Sequence, residues 1–239
     1  MILFYVRHGD PIYDPDQLTP LGQRQAEAVG RRLARFGIDQ IYSSTSTRAY
    51  QTSLPTAEMM KKPVEQMEFC HENLAWKDLA IDLETGGKTW AFYHPEVSRL
   101  FATKSVRDLG EKWYEHPELK KYNFHPAIQR IHDEADKFLA SLGYEHDREN
   151  GNYRIVRPNH DRVALFAHQG FGLAFLSSIL DIPYPLFSMH FDMSHTGMSV
   201  IDFTEKEDGV VVPRALTVGN DGHLLADNMP TAYHNLIRF

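Results

Sequence analysis

Two runs of apolar residues, far apart in the sequence, each end in a short polar motif. The first run, Ile2–Val6, leads into Arg-His-Gly at Arg7–Gly9, and the second, Val163–Ala167, leads into His-Gln-Gly at His168–Gly170. Because the runs are continuous and rich in β-branched and aromatic residues, we predict two strands buried on both faces. Open α/β sheets bind ligands at the carboxyl ends of such strands. The pattern therefore predicts one anion site with two histidines and an arginine, and phosphate chemistry is the leading interpretation.

After the first motif the pattern alternates helices and strands. Thr19 supplies a helix N-cap before Pro20, and Gly37 ends the helix that follows. A short strand over 38–42 comes next.

A second helix is predicted to begin near Ser46 or Thr47. It contains Pro55, which cannot donate a helical hydrogen bond, so we expect a kink or an early break there. A third strand is predicted over 64–69.

The strand-helix alternation is lost from about 70 to about 125, and we interpret this stretch as a largely helical insertion or cap. It contains several large aromatic residues: Trp76, Trp90, Tyr93, Trp113 and Tyr114. These side chains either line a substrate pocket or form the insertion's own small core, and we expect the core.

The rest of the chain returns to regular elements. An amphipathic helix is predicted over 126–142, Asn150-Gly151 indicates a hairpin, and an apolar helix follows over 171–180. Two closing strands, over 197–203 and 210–218, are predicted to pair around the turn at 205–209. We find no repeat or flexible linker, so we predict a single domain over residues 1–239.

Composition limits the classes of function. The chain is 42% hydrophobic and 24% charged, which is ordinary for a globular protein, and its net charge of −7 gives no footprint for nucleic acid. The single cysteine, Cys70, excludes an internal disulfide and suits a reducing compartment. The first apolar run is too short for a signal-peptide core, and no stretch is long enough to span a bilayer. We expect a cytoplasmic protein that binds no membrane.

The residues at the two strand ends suit phosphoryl transfer. A neutral imidazole can attack phosphorus and form a phosphohistidine that water then hydrolyses. We predict His8 as this nucleophile and Arg7 as a clamp on the phosphate oxygens, because an arginine fork binds them well. Arg48, at the start of a helix, is a second clamp, and His168 is a further donor. The neighbouring cations would also keep His8 neutral.

These residues belong to four motifs that occur in a recognisable order. They are Arg7–Gly9, Leu18–Gly22 with Gln25-Ala26, Tyr42–Ser44 leading to Arg48–Thr52, and Ala167–Gly170. Together they resemble the histidine phosphatase (phosphoglycerate-mutase-like) superfamily. The resemblance implies a three-layer α/β/α sandwich with a mostly parallel central sheet. It also implies a phosphohistidine on His8 without metal or cofactor, and a phosphate pocket formed by Arg7, His8, Arg48, His168 and Gln169.

The sequence departs from the family at two places. Many members carry an asparagine six residues after the nucleophile, but this chain has Asp14, which we leave out of the site because it would repel phosphate. The family's proton donor is an acid soon after the third strand, commonly followed by a glycine motif that is missing here. Glu72 fits by position, and Asp78 and Asp82 are the fallbacks.

Other histidines and glycines have simpler interpretations. His190, Asp192 and His195 match no recognised zinc spacing, so we predict no metal there, although His195 could reach the edge of the site. Gly170 and Gly172 lack the rest of a dinucleotide fingerprint, and we expect them to let the chain turn closely past His168.

Three functions fit the sequence. The leading hypothesis is a phosphatase of a small phosphomonoester. A phosphoglycerate mutase is the alternative, although the acid-His-Tyr-Gly type motif of mutases is not evident around Glu72. A non-catalytic phosphate-binding or interaction module is the alternative of another class. The expected partner is a small phosphorylated substrate. An exposed edge of the insertion or the tail over 233–239 leaves a homodimer open.

Overall fold

The computed structural model describes residues 1–204 and 209–231, and a six-stranded sheet lies at its centre. The strands of this part of the chain are β1 (Ile2–Arg7), β2 (Pro11–Tyr13), β3 (Asp16–Leu18), β4 (Gln40–Ser44), β5 (Val64–Met67), β6 (Ala80–Asp82), β7 (Lys88–Trp90), β8 (Tyr144–Asp147), β9 (Asn152–Ile155), β10 (Arg162–Ala167), β11 (Met198–Asp202), β12 (Val210–Val211) and β13 (Arg214–Asn220). The helices are α1 (Pro20–Phe36), α2 (Thr47–Met60), α3 (Glu72–Leu79), α4 (Pro95–Phe101), α5 (Lys104–Arg107), α6 (Phe124–Ser141), α7 (Gln169–Ile179), α8 (Tyr184–His190) and α9 (Gly222–Ala226), with 3₁₀ segments at Glu68–Cys70 and Gly110–Glu115.

The central sheet has the strand order β13-β11-β1-β10-β4-β5. Strands β1, β10, β4 and β5 are parallel, whereas β11 runs antiparallel between β1 and β13. The two apolar runs of the sequence are therefore the neighbouring strands β1 and β10, and β1 is buried on both faces. The prediction of a mostly parallel α/β sheet is confirmed.

Helices cover both faces of the sheet, because successive residues of a strand point to opposite sides. Phe4 and Val6 pack with residues of α1 and α2 in one hydrophobic cluster. Leu3 and Tyr5 pack in a second cluster with residues of α6 and α7, such as Phe175. The result is the three-layer α/β/α arrangement.

Capping residues set both ends of α1, and packing supports α2 through its proline. The Thr19 hydroxyl accepts a hydrogen bond from the Gly22 amide at the start of α1, and Gly37 ends the helix in the left-handed conformation. Helix α2 continues through Pro55, so the early break predicted there is wrong. Close packing on α1 supports this stretch, because a Cβ at Gly30 would lie 3.1 Å from the Pro55 Cβ.

Two predictions about strands need correction. The third strand ends at Met67, where the 3₁₀ segment begins. The segment predicted as one strand over 210–218 is divided in two, because Pro213 cannot donate a ladder hydrogen bond. Its first part, β12, pairs with β9, and its second part, β13, pairs with β11. The hairpin predicted at Asn150-Gly151 joins β8 and β9, while residues 205–208 of the predicted closing turn lie outside the described residues.

The segment between β5 and α6 contributes to the same core as the sheet. Phe101 and Trp113 pack edge to face, with ring centroids 5.3 Å apart, and both contact Tyr184 of α8. These side chains belong to the cluster that contains Leu3 and Tyr5. The prediction that the insertion forms a small core of its own is therefore wrong.

Candidate active site

The register of the sheet brings the two histidine motifs together. Arg7 and Ala167 are partners at the ends of β1 and β10, so His8 and His168 follow at the same edge. Their imidazole centroids lie 5.2 Å apart. The next strand, β4, ends at Ser44, whose Oγ lies 2.9 Å from His168 Nε2. Three parallel strands thus deliver polar side chains to one place, and two of these strands carry the histidine motifs of the sequence.

His8 is held as a neutral imidazole with one nitrogen committed. Its Nδ1 lies 2.7 Å from the Gly9 carbonyl oxygen, which can only accept, so Nδ1 carries the proton. Burial lowers the pKa of His8 well below the ordinary value, and His168, Arg7 and Arg48 lower it further. Nε2 is therefore unprotonated near neutral pH, as a nucleophile requires.

Arg7 is buried beside the nucleophile and is fixed by two hydrogen bonds. Its guanidinium donates to the Met193 carbonyl at 2.6 Å and lies 3.1 Å from His195 Nε2. Burial, followed by the charge of Arg7, lowers the pKa of His195 to about 3, so His195 is a neutral acceptor. The ring of His195 lies 5.8 Å from that of His8, which places it in the site.

Arg48 enters the site from the first turn of α2. Its Nη1 donates to Asp16 Oδ1 at 2.7 Å, and its Nη2 lies 3.2 Å from His168 Nδ1. Burial alone would raise the pKa of Asp16, but the hydrogen bond and charge of Arg48 outweigh burial and lower it. Sequence reasoning missed Asp16 and weighed Asp14 instead, which is exposed in the turn between β2 and β3. The signal available was an acid two residues later, at the start of β3, the strand that contacts α2.

His168 is fully buried and is fixed through its main chain and side chain. Its carbonyl accepts a 2.6 Å hydrogen bond from the Tyr5 hydroxyl, and its imidazole contacts Ser44 and Arg48. Burial lowers the pKa of His168 well below the ordinary value, and the charges of Arg48, His71 and Arg7 act in the same direction. His168 is thus neutral near pH 7, and it acts as a hydrogen-bonding group.

Among the three candidate acids, the structure brings only Glu72 to the histidines. Its Oε1 accepts a 3.1 Å hydrogen bond from the Gly170 amide, and its Oε2 lies 3.5 Å from His168 Nδ1. Asp78 accepts from the Asn123 amide, and Asp82 pairs with the exposed Lys88. Glu72 begins α3, directly after the 3₁₀ segment that follows β5.

Gln169 is anchored by two residues that sequence reasoning did not assign to the site. Its amide nitrogen donates to the Tyr93 hydroxyl at 3.0 Å and to Asp192 Oδ1. The Asp192 carboxylate also accepts from the Met193 amide at 2.7 Å. Because Met193 in turn accepts from Arg7, this network links Gln169 to the arginine beside the nucleophile.

The glycines that we expected to let the chain turn closely past His168 lie inside α7. A Cβ at Gly170 would come 2.2 Å from the indole of Trp90, and one at Gly172 would come 2.5 Å from the Tyr5 hydroxyl. Each glycine makes room for a large side chain that packs against the helix.

An open cavity of about 610 Å³ leads to these groups. It is lined by His8, Tyr13, Asp16, Arg48, His71, Glu72, Asn73, Trp76, Trp90 and Gln169. The expectation that Trp76 and Trp90 are buried in the insertion is wrong, because both are half-buried and face this cavity. Trp113, in contrast, is a core residue.

No group of three histidine, cysteine or acidic side chains within residues 1–204 and 209–231 is arranged to hold a metal ion. The same part of the chain contains no helix long and apolar enough to cross a membrane.

The sequence matches the histidine phosphatase superfamily (branch 1) over residues 3–214. The chain belongs to this superfamily. The family resemblance carried by the strand-end motifs is thereby confirmed. No curated protein matches this histidine phosphatase family member significantly.

Solved structures share its fold. A structure described as mycobacterial hydrolase 1 has a TM-score of 0.59 and 18% identity, and the match covers 92% of this chain and 98% of that one. Phosphoserine phosphatase from Entamoeba histolytica, in complex with 3-phosphoglyceric acid, has a TM-score of 0.57 and 20% identity, covering 93% and 98%. Mycobacterial glucosyl-3-phosphoglycerate phosphatase, in complex with VO3, has a TM-score of 0.57 and 18% identity, covering 90% and 97%.

Proposed function

We propose that the protein hydrolyses a small phosphomonoester through a phosphohistidine on His8, without a metal ion. The observation that carries the proposal is the state of His8. Its Nδ1 proton is held by the Gly9 carbonyl, its pKa is lowered, and its ring lines the cavity beside Arg48 and Glu72. Such a group is a preorganised nucleophile.

In the first step, His8 Nε2 attacks phosphorus, the N–P bond forms and the P–O bond to the leaving group breaks. The imidazole becomes positively charged, and the Gly9 carbonyl stabilises it through the Nδ1 proton. Arg7 and Arg48 bind the phosphate oxygens, because positioning and charge stabilisation dominate phosphoryl transfer. Glu72, in its carboxylic acid form, gives its proton to the departing oxygen.

In the second step, the Glu72 carboxylate accepts a proton from water as the water oxygen attacks phosphorus. The N–P bond breaks, phosphate leaves, and His8 returns to its neutral form. Glu72 gives up one proton in the first step and regains one from water in the second, so the residue acts first as acid and then as base. His168, at the end of the neighbouring strand β10, accepts from Arg48 and so holds this clamp toward the transferring group.

Hydrolysis of para-nitrophenyl phosphate in the presence of EDTA tests this proposal. We expect turnover by the wild type and a loss of about 10³-fold or more in His8→Ala. The exposed His190, which is outside the cavity, gives the control His190→Ala, which should keep full activity. Acid-labile phosphate should label the wild type but not His8→Ala.

Three outcomes would contradict the proposal. Rapid interconversion of phosphoglycerates with little hydrolysis would indicate the mutase alternative. A folded wild type that binds phosphate without turnover or labelling would indicate the non-catalytic module. Activity that EDTA abolishes and added metal restores would contradict a metal-free mechanism.

A further inference from the structure

The cavity that leads to His8 has an aromatic wall. Trp76 and Trp90 pack edge to face, with ring centroids 4.8 Å apart, and both line the cavity. Tyr13, whose side chain belongs to the β2–β3 hairpin, is 68% exposed and also lines it. These rings come from separate segments of the chain, so they meet only in the folded protein.

Trp90 is fixed close to the reacting groups. The Gly170 backbone leaves room for its indole, which would otherwise lie 2.2 Å from a Cβ at that position. The same ring stacks on Phe92, with an interplanar angle of 11°. The amide of the same Gly170 donates to Glu72, so the indole lies beside the proposed proton donor.

The charges around the cavity do not suit a second anionic group on the substrate. Among the described residues that line it, Arg48 is the only lysine or arginine, and its guanidinium already contacts Asp16 and His168. Asp16 and Glu72 are acids that line the same cavity. A carboxylate on the leaving group would find no free lysine or arginine among these residues, and an unpaired, partly desolvated charge is costly.

We propose that the substrate's leaving group is uncharged and presents a flat apolar face to Trp76 and Trp90. The inference rests on the proposed phosphatase function and specifies its substrate class. Aromatic rings bind such faces by offset or edge-to-face packing. The phosphate reaches Arg7, His8 and Arg48, and the indoles select what is attached to it.

Two matched pairs of substrates test charge and shape separately. Glycerol 3-phosphate carries a hydroxymethyl group where 3-phosphoglycerate carries a carboxylate. Benzyl phosphate carries a flat ring where cyclohexylmethyl phosphate carries a puckered one, and their leaving alcohols have similar acidity. We expect kcat/KM to favour glycerol 3-phosphate over 3-phosphoglycerate, and benzyl over cyclohexylmethyl phosphate by about 2- to 10-fold.

Variants connect these preferences to the wall. Trp76→Leu should reduce the preference for benzyl phosphate. Tyr114 is an aromatic residue of the same segment but lies outside the cavity, so Tyr114→Leu should leave this preference unchanged. Asn73 lines the cavity and is exposed, so Asn73→Arg should supply the missing cation. This variant should raise kcat/KM for 3-phosphoglycerate relative to glycerol 3-phosphate by about tenfold.

Calorimetric binding of benzylphosphonate and 2-carboxyethylphosphonate to the wild type separates this inference from the function on which it rests. Turnover that depends on His8 without either substrate preference would overturn the inference and leave the phosphatase function in place. Tighter binding of benzylphosphonate without any turnover would support the inference and contradict hydrolysis. Equal binding of the two phosphonates would overturn the inference irrespective of turnover.

Discussion

At the scale of single residues, the site is organised around keeping imidazoles neutral among cations. Arg7 and Arg48 approach His8 and His168 closely enough to lower the pKa of both imidazoles, in addition to the effect of burial. The arginines are in turn held by carbonyl and carboxylate oxygens, from Met193 and Asp16. The phosphate clamp and the activation of the nucleophile therefore depend on the same charges.

Glu72 provides the clearest prediction at this scale. Glu72→Gln keeps the hydrogen bond from the Gly170 amide to an oxygen but cannot give a proton to the leaving group. We expect kcat for benzyl phosphate to fall by about 10²-fold or more, and kcat for para-nitrophenyl phosphate to fall less, because nitrophenolate leaves without protonation. Single-turnover rates on the two substrates measure this difference.

Asp78→Asn serves as its control, because Asp78 is on the same helix but outside the cavity, and both rates should stay near the wild type. Equal losses on the two substrates in Glu72→Gln would assign the proton transfer to another group. The sequence could indicate Glu72 because its distance from the third strand is local information. Asp16 could not be found in this way, because its partner Arg48 is brought to it by tertiary packing.

At the scale of elements, the close approach of α7 to Trp90 depends on one missing side chain. Gly170→Ala should favour the helix slightly, but its Cβ would lie 2.2 Å from the indole, so the ring must move. We expect a loss of about 1–3 kcal/mol in the free energy of unfolding and a fall in kcat/KM, because Glu72 packs on the same turn. Urea denaturation and the steady-state rate measure the two effects.

Gly222→Ala is the matched control, since a Cβ at Gly222 would find its nearest atom, Asn220 Oδ1, at 3.5 Å. A Gly170→Ala variant as stable and active as this control would show that Trp90 moves without cost. The periodicity of the sequence was enough to predict α7 as an apolar helix, but not which partner required the glycine. The continuation of α2 through Pro55 and the pairing of β12 with β9 were equally beyond local pattern, because both depend on neighbours distant in sequence.

At the scale of the whole molecule, folding lowers the pKa of several histidines, both in the site and outside it. Burial is the main cause that lowers the pKa of His223 to about 4, and the charge of Arg32 lowers it further. The pKa of His132, on α6, is lowered to about 4 mainly by burial, and the charge of Arg148 lowers it further. His8 and His168 are shifted in the same direction. The unfolded chain, with ordinary histidine pKa values of about 6.5, therefore binds more protons than the folded protein in mildly acidic solution.

His146 is the opposite case among the described histidines with a resolved shift. Its side chain lies between Asp136 and Asp181, with both ring nitrogens 2.9 Å from a carboxylate oxygen. Burial would lower its pKa, but these hydrogen bonds outweigh burial and raise it. Its contribution to stability is present below about pH 6.5 and is lost as pH rises through its folded value.

The balance predicts that acid destabilises the protein before its carboxylates titrate. A lowered histidine pKa contributes stability that is complete above about pH 6.5 and lost as pH falls toward the folded value, at up to about 1.4 kcal/mol per pH unit for each group. Among the described histidines with a resolved shift, only His146 has a raised pKa, and the others have lowered pKa values. The free energy of unfolding should therefore fall between about pH 6.5 and 5. Urea denaturation across this range should show a positive slope with pH.

His223→Gln should make the slope shallower, whereas His190→Gln, at an exposed position, should not. A flat profile in the wild type, or an equal slope in His223→Gln, would mean that these histidines take up protons without unfolding the protein.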